Sequence, residues 1–262
     1  MANSTRSNTK INSYNTGEIF AVIPVVNGKA CGVVKRFYKT GELMGTAEHK
    51  DDYVDGKIIM YYKNKNIMRE MLYVRGIGVS GICKEYYESS KLKRVTYWKN
   101  NKLHGSDTSY HESTCNKKRE VNWINGSKEG PAKQFFENGD VFKTAVYKKN
   151  NVDGQTCTYY DTGELHYTKT YRNGITSGLS NTYWKNKNLK YQVSFVNNKL
   201  HGPAVKYNEL GEPITFTTWN NGVNIRKHSY STIESQTKRT RESSTSTDDA
   251  PSSKRSKRKH RI

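Results

Sequence analysis

Eight glycines keep an almost fixed beat along the chain: Gly32, Gly56, Gly81, Gly105, Gly130, Gly154, Gly178 and Gly202. The steps between them are 24, 25, 24, 25, 24, 24 and 24 residues. A period of this size marks a repeat architecture, in which each unit buries its apolar side chains only against its neighbours. Such an array is a platform, and its shape is easier to read than its activity.

Counting forward from each anchor glycine defines the unit. Five residues on stands an aromatic every time: Phe37, Tyr61, Tyr86, Tyr110, Phe135, Tyr159, Tyr183 and Tyr207. Six on, the aromatics Tyr38, Tyr62, Tyr87, Phe136, Tyr160 and Trp184 follow, with His111 and Asn208 as exceptions. Nine on comes a turn position, held by Gly41, Gly139, Gly163 and Gly211 or by Lys65, Ser90, Thr114 and Lys187. Seventeen on, most units carry another ring: Tyr73, Trp98, Tyr147, Tyr171, Phe195 and Trp219, with Trp123 one residue late. A second turn precedes the anchor, as in Asn27-Gly28, Asp51-Asp52, Asn100-Asn101, Asn125-Gly126, Asn173-Gly174 and Asn197-Asn198; Asn221-Gly222 follows the last unit. Asn, Asp and Gly accept the positive φ that two-residue hairpin turns demand.

Each period therefore reads as two strands and two turns. The strands are rich in Tyr, Val, Thr and Trp, and no stretch carries a sustained helical stripe. The fold expected is all-β: an elongated single-layer array of antiparallel β-hairpins, about eight 24-residue repeats with disordered termini. Sixteen strands at about 4.8 Å spacing make a ribbon about 75–80 Å long. Residues 1–13 are expected to be disordered, 14–31 to form a degenerate half-repeat or cap, 32–222 the array, and 223–262 a disordered basic tail. With 33% hydrophobic residues and 19 tyrosines, a thin core is expected. The five-on ladder is its expected stack, and Tyr38, Tyr62, Tyr87, Phe136, Tyr160 and Trp184 are the candidate exposed stripe on the other side of the strands.

The pattern Gly-x4-aromatic-aromatic-x2-Gly-x-Leu-x5-aromatic-x-Asn-Gly resembles MORN repeats of the "YY-x-NG-x-L" variant. Its clearest copies run from Gly154 to Gly174 and from Gly130 to Asn150. Ser113-Thr114-Cys115-Asn116 departs from it by lacking the turn glycine and the aliphatic, and Leu210-Gly211-Glu212-Pro213 by ending in proline. The resemblance implies an elongated hairpin array used for protein or membrane contacts. Similar bacterial arrays are antitoxin-like, large DNA viruses carry several such proteins, and some members are fused to kinases. The family itself implies no reaction.

Formal net charge is +20. Residues 27–222 hold 31 Lys+Arg against 19 Asp+Glu, spread over many strands, where lysine also discourages edge pairing. Residues 223–262 hold 11 basic and 4 acidic residues. Two clusters stand out there: Lys238, Arg239 and Arg241, then Lys254, Arg255, Lys257, Arg258, Lys259 and Arg261. Their spacing resembles a bipartite nuclear localisation signal, and a flexible basic stretch also suits a polyanion. Serines in the same tail are candidate phosphorylation sites that would weaken polyanion contacts. The N-terminus lacks the apolar stretch of a signal peptide, and no run approaches a membrane span, so an intracellular protein is expected, with the nucleus favoured and cytoplasm or virion as alternatives.

Cys31, Cys83, Cys115 and Cys157 form no Cys-x-x-Cys pair and are expected as free thiols. His104 and His201 share the context Lys-Leu-His-Gly, which marks repeat positions rather than catalysts. No phosphate loop, zinc-protease or nucleophile-elbow motif occurs. No catalytic residue, metal or cofactor is expected. The expected function is a non-catalytic scaffold that binds a protein partner, its tail acting as a nuclear localisation signal or polyanion tether. The alternatives are a nucleic-acid or anionic-phospholipid binder using the basic array surface, and an antitoxin-like inhibitor.

Overall fold

The structure, a computed structural model, describes residues 7–229. They form one open antiparallel sheet of 22 strands, with no helix among the described residues. Each strand pairs with its neighbours in chain order, from Ser7–Ser13 at one edge to Val223–Ser229 at the other. Three of the strands are two-residue pieces, Lys29–Ala30, Gly78–Val79 and Asn151–Val152, each separated by one residue from the strand that continues it.

The two-residue turns take the form that their residues predict. Both central residues have positive φ in Asn27-Gly28 (50° and 81°), Asn125-Gly126 (50° and 86°) and Asn173-Gly174 (50° and 81°). That geometry matches the twist of the flanking strands. Lys149-Asn150 adopts it too, at 49° and 72°. The second turn residue has a further task. Asp52, Asn150 and Asn198 each use Oδ1 to accept the backbone N–H of Ala30, Lys128 and Thr176, at 2.7, 2.8 and 2.8 Å. Each side chain thus clamps the preceding unit, which explains why Asn and Asp recur where glycine alone would make the turn.

The nine-on position is left-handed as well. Gly41, Gly139, Gly163 and Gly211 have φ of 94°, 96°, 93° and 87°. Lys65, Ser90 and Lys187 hold 72°, 66° and 71° with a Cβ attached. An L-residue there is strained by about 1–2 kcal/mol. Lys187→Gly is therefore expected to stabilise the protein by about 1 kcal/mol after the flexibility of glycine in the unfolded chain is offset, read as a higher urea midpoint. Lys187→Ala, which keeps the Cβ, serves as the unchanged control.

The two turns that depart from the repeat pattern resolve differently. At His111–Asn116 the turn is one residue longer: the N–H of His111 reaches the carbonyl of Asn116, and Cys115, not Thr114, takes the left-handed position at 59°. This insertion is what delays Trp123. The turn before Pro213 closes normally, with Asn208 N–H on the Glu212 carbonyl at 2.9 Å and Pro213 paired with Tyr207.

Both ends of the sheet extend beyond the expected boundaries. Residues 7–13 are a strand, not a disordered leader, with Ile11 opposite Val22. The hairpin repeats the unit: Tyr14 stands 24 residues before Tyr38, and its N–H and carbonyl close the same turn, to Glu18 and from Gly17. Residues 223–229 likewise form the last strand rather than part of the tail, because the Asn221-Gly222 turn folds them back on Pro213–Asn220. Residues 1–6 and 230–262 lie outside the described residues.

The core differs from the one expected. All eight five-on rings are only half-buried. The buried line runs two residues after the anchor, through Val34, Cys83, Asp107, Thr156, Ser180 and Ala204. On the second strands it continues through Thr96, Val121 and Val193. These side chains are short. In one sheet layer a residue is buried when its taller neighbours on the same face overhang it, so short residues between tall rows make the core.

Candidate binding groove

The short ladder lies between two taller rows on the same face of the sheet. One row is the seventeen-on ring series, Tyr73, Trp98, Trp123, Tyr147, Tyr171, Phe195 and Trp219, all half-buried. Trp98 and Trp219 donate their indole N–H to the ladder residues Thr96 and Thr217, at 2.9 and 3.1 Å, which fixes the rings over that face. The other row is polar and long: Arg69, Arg94, Arg119 and Lys143 stand two residues before Met71, Thr96, Val121 and Ala145 and share their face. Short residues flanked by rings on one side and cations on the other make a groove that crosses the strands.

One ladder position is charged. The Asp107 side chain is fully buried. Arg94 grips it with both ends of its fork, Nε to Oδ1 and Nη2 to Oδ2, each 2.8 Å. Arg119 Nη2 and Trp123 Nε1 also donate to Asp107 Oδ2, at 3.2 and 3.1 Å. Burial alone pushes the Asp107 carboxyl up, but the Arg94 bonds and charge, with Arg119 and Trp123, hold it below the usual carboxylate range. One carboxylate thus serves two guanidinium groups, and Arg119 Nε is buried with no hydrogen-bond partner among the described residues.

Beside Arg119 the groove deepens into a cavity of about 170 Å³. Its floor is Val121, Ala132, Ala145 and Thr156, and its walls include Tyr147 and Tyr171. Arg119, Lys128, Lys133 and Lys143 line it, and among the described residues no Asp or Glu does. Lys128 Nζ sits 5.5 Å from the Trp123 ring centre and 5.2 Å from that of Tyr147. Among the described residues neither Lys128 nor Lys143 forms an ion pair, whereas Arg69 is matched by Glu85 at 2.7 Å.

The six-on rings are placed differently from the exposed stripe expected. Tyr38, Tyr62, Tyr87, Phe136, Tyr160 and Trp184 are all half-buried. The hydroxyls of Tyr38, Tyr62, Tyr87 and Tyr160 donate to the backbone carbonyls of Tyr61, Tyr86, Tyr110 and Tyr183, at 2.8–2.9 Å. Phe136 packs edge-on against Phe142, and Lys190 covers Trp184 at 4.0 Å. These rings staple each wide turn to the next unit. Exposed apolar side chains occur elsewhere, on the opposite face: Leu72, Ile82 and Tyr97 stand on successive strands at 45%, 47% and 40% exposure. That row and the cation row are periodic in the sequence, but only the register shows which face each occupies.

The basic tail residues Lys238, Arg239, Arg241, Lys254, Arg255, Lys257, Arg258, Lys259 and Arg261 lie outside the described residues. The four cysteines carry no disulfide, and burial pushes the Cys83 thiol up. Among the described residues no group of three His, Cys, Asp or Glu is arranged to hold a metal, and no helix is long and apolar enough to cross a membrane.

Four units match the family profile described as "MORN repeat variant", at residues 54–75, 80–100, 128–149 and 152–173. These matches, within residues 54–173, support a MORN-repeat protein and a repeat-based scaffold, and the family is generally non-catalytic. The unit with the lengthened turn and the unit ending at Pro213 fall outside the matched stretches. No curated protein matches the chain. Among solved structures it is similar to the "Crystal Structure of TcdB2-TccC3", at 13% identity over 83% of this chain and 14% of that one, with a TM-score of 0.21. The same complex "without hypervariable C-terminal region" aligns at 13% identity over 82% and 13%, again with a TM-score of 0.21. The chain spans about one-seventh of the length of these chains.

Proposed function

We propose that the protein is a non-catalytic scaffold whose groove holds a protein partner, while its basic tail serves as a nuclear localisation signal or tether to a polyanion. The groove carries this reading. It offers half-buried rings along one side, cations along the other from Arg69 to Lys143, and a floor mainly of short side chains, over a single sheet layer. Rings with a polar margin and arginines are the residue types that dominate protein interfaces. The rival reading, a nucleic-acid or phospholipid binder using the array, needs a dense unpaired basic surface. Against it, Arg69 and Arg94 already have carboxylate partners, and Lys57 and Lys84 face Glu70 at 3.3 and 3.9 Å.

The test separates array from tail in the full-length chain. Lys254, Arg255, Lys257, Arg258, Lys259 and Arg261 are changed together to Gln, and binding to duplex DNA and to anionic vesicles is followed across a salt series. The neutralised chain is expected to lose salt-sensitive binding to both and, fused to a fluorescent protein, its nuclear accumulation. Retention of tight, salt-sensitive binding would make the array itself the polyanion reader and end the scaffold reading.

A further inference from the structure

We infer that the cavity bounded by Arg119, Lys128 and Lys143 is a subsite for a phosphorylated side chain on a protein partner. The inference rests on the scaffold reading and names what one stretch of the groove recognises.

Arg119, Lys128, Lys133 and Lys143 line this cavity, and the one carboxylate near it, Asp107, pairs only with Arg119 among them. Asp107 is already gripped at both oxygens by Arg94, so its charge only partly answers Arg119. Arg119 Nε has no acceptor among the described residues, and the side chain, 39% exposed, borders the cavity. Lys128 is held between the Trp123 and Tyr147 rings, which position its Nζ without neutralising it. Lys143, half-buried, has no ion-pair partner among the described residues. A single carboxylate would leave most of this charge unanswered. A phosphate monoester brings a charge of about −1.5 to −2 and three strong acceptor oxygens, which answer a lining of cations without carboxylates.

Size decides between a whole ligand and an end group. At about 170 Å³ the cavity lies well below the roughly 300–1,000 Å³ of pockets that enclose a complete small molecule. It admits a phosphate and the first carbons behind it. The rest of the ligand must lie along the groove, where the rings of Tyr147 and Tyr171 supply contact surface. An extended peptide fits that requirement on the side of the later units, where Lys169 lies over the Tyr171 and Phe195 rings and the short ladder resumes at Ser180, Val193 and Ala204; on the other side Arg94, Arg119 and Trp123 close over Asp107.

The experiment uses the full-length chain with the tail neutralised as above, which removes the competing basic cluster. The probe is a blocked ten-residue glycine-serine peptide with one central phosphoserine, titrated calorimetrically beside its unphosphorylated twin and inorganic phosphate. Saturable 1:1 binding of the phosphopeptide is expected, at least tenfold tighter than either control. Lys143→Gln and Lys128→Gln should each weaken it about tenfold. Lys185→Gln, at an exposed turn paired with Asp161, should leave it unchanged. Equal binding of both peptides, indifference to Lys143→Gln, or phosphate binding with the peptide excluded would each overturn the inference. So would binding confined to vesicles carrying a phosphorylated lipid. Failure here with the tail result intact removes the subsite and leaves the scaffold standing.

Discussion

Asp107→Ala should destabilise the middle of the array by about 3–5 kcal/mol, the scale seen when one partner of a buried ion pair is removed. The reason is what it leaves behind. Arg94 and Arg119 lose their common acceptor, Trp123 loses a hydrogen-bond partner, and Arg119 Nε is already without one. Replacing the whole cluster is a different experiment. Asp107→Leu with Arg94→Met and Arg119→Met removes the charges together and should recover most of the loss, since well-packed apolar groups often replace such clusters without penalty. Urea denaturation of the two proteins checks this, and a single Asp107→Ala costing under about 1 kcal/mol would show that the cluster is not a structural node. Because units touch only their sequence neighbours, the damage should be local. Hydrogen exchange should rise first in the strands Leu92–Lys99 and Lys117–Ile124, and the end hairpins should stay protected.

The same carboxylate gives the acid limb of stability its sign. Its folded pKa is depressed, so the stabilisation is fully present above the unfolded value near 4 and is lost as pH falls through the folded value. Glu70 is lowered for a related reason, chiefly the hydrogen bond it accepts from Tyr86 at 2.7 Å. Asp107→Asn should flatten the stability profile below about pH 4 relative to the parent chain.

The sequence exposed the architecture because the repeat is enforced by backbone conformation. A turn or bulge that needs positive φ selects Gly, Asn or Asp, and these residues are visible at any burial. Periods, turns and strands were therefore legible, down to the insertion announced by the late Trp123. The groove was not. Its floor consists of Ala, Thr, Ser, Val and Cys, residue types that say nothing of depth until taller rows are known to flank them on the same face. The bulges around each anchor decide which residues share a face, and counting from the glycine does not reveal them. The six-on rings misled for the same reason. Their hydroxyls reach carbonyls 23–24 residues away, a contact that exists only once the units are stacked. Arg119 and Lys143 looked like ordinary sheet-surface charges until the structure placed them around one cavity.

Changing an anchor glycine should cost more where the chain is crowded than where it is open, and Gly56 and Gly81 separate the two contributions. Gly56 has φ of 133°, in a region essentially reserved for glycine, and Gly81 has φ of 85°. A methyl group at Gly81 meets nothing within 4 Å, so Gly81→Ala carries only the backbone strain, about 1–2 kcal/mol. At Gly56 a Cβ would stand 2.0 Å from Glu48 Oε2 and 2.7 Å from Glu48 Cβ. That carboxylate accepts the N–H of Lys57 at 3.0 Å, so Gly56→Ala must displace Glu48 and break the bond as well. Gly56→Ala is expected to cost about 1–2 kcal/mol more than Gly81→Ala, the worth of a charge-assisted hydrogen bond added to the strain. Glu48→Ala in the Gly56→Ala background should return only part of the difference, because it removes the obstructing carboxylate but leaves the Cβ of residue 48 at 2.7 Å. Equal costs at the two glycines would mean that the anchors serve conformation alone. A cost near zero at both would mean that the left-handed bulge, and not merely the rings and turns around it, can be rebuilt by any small residue.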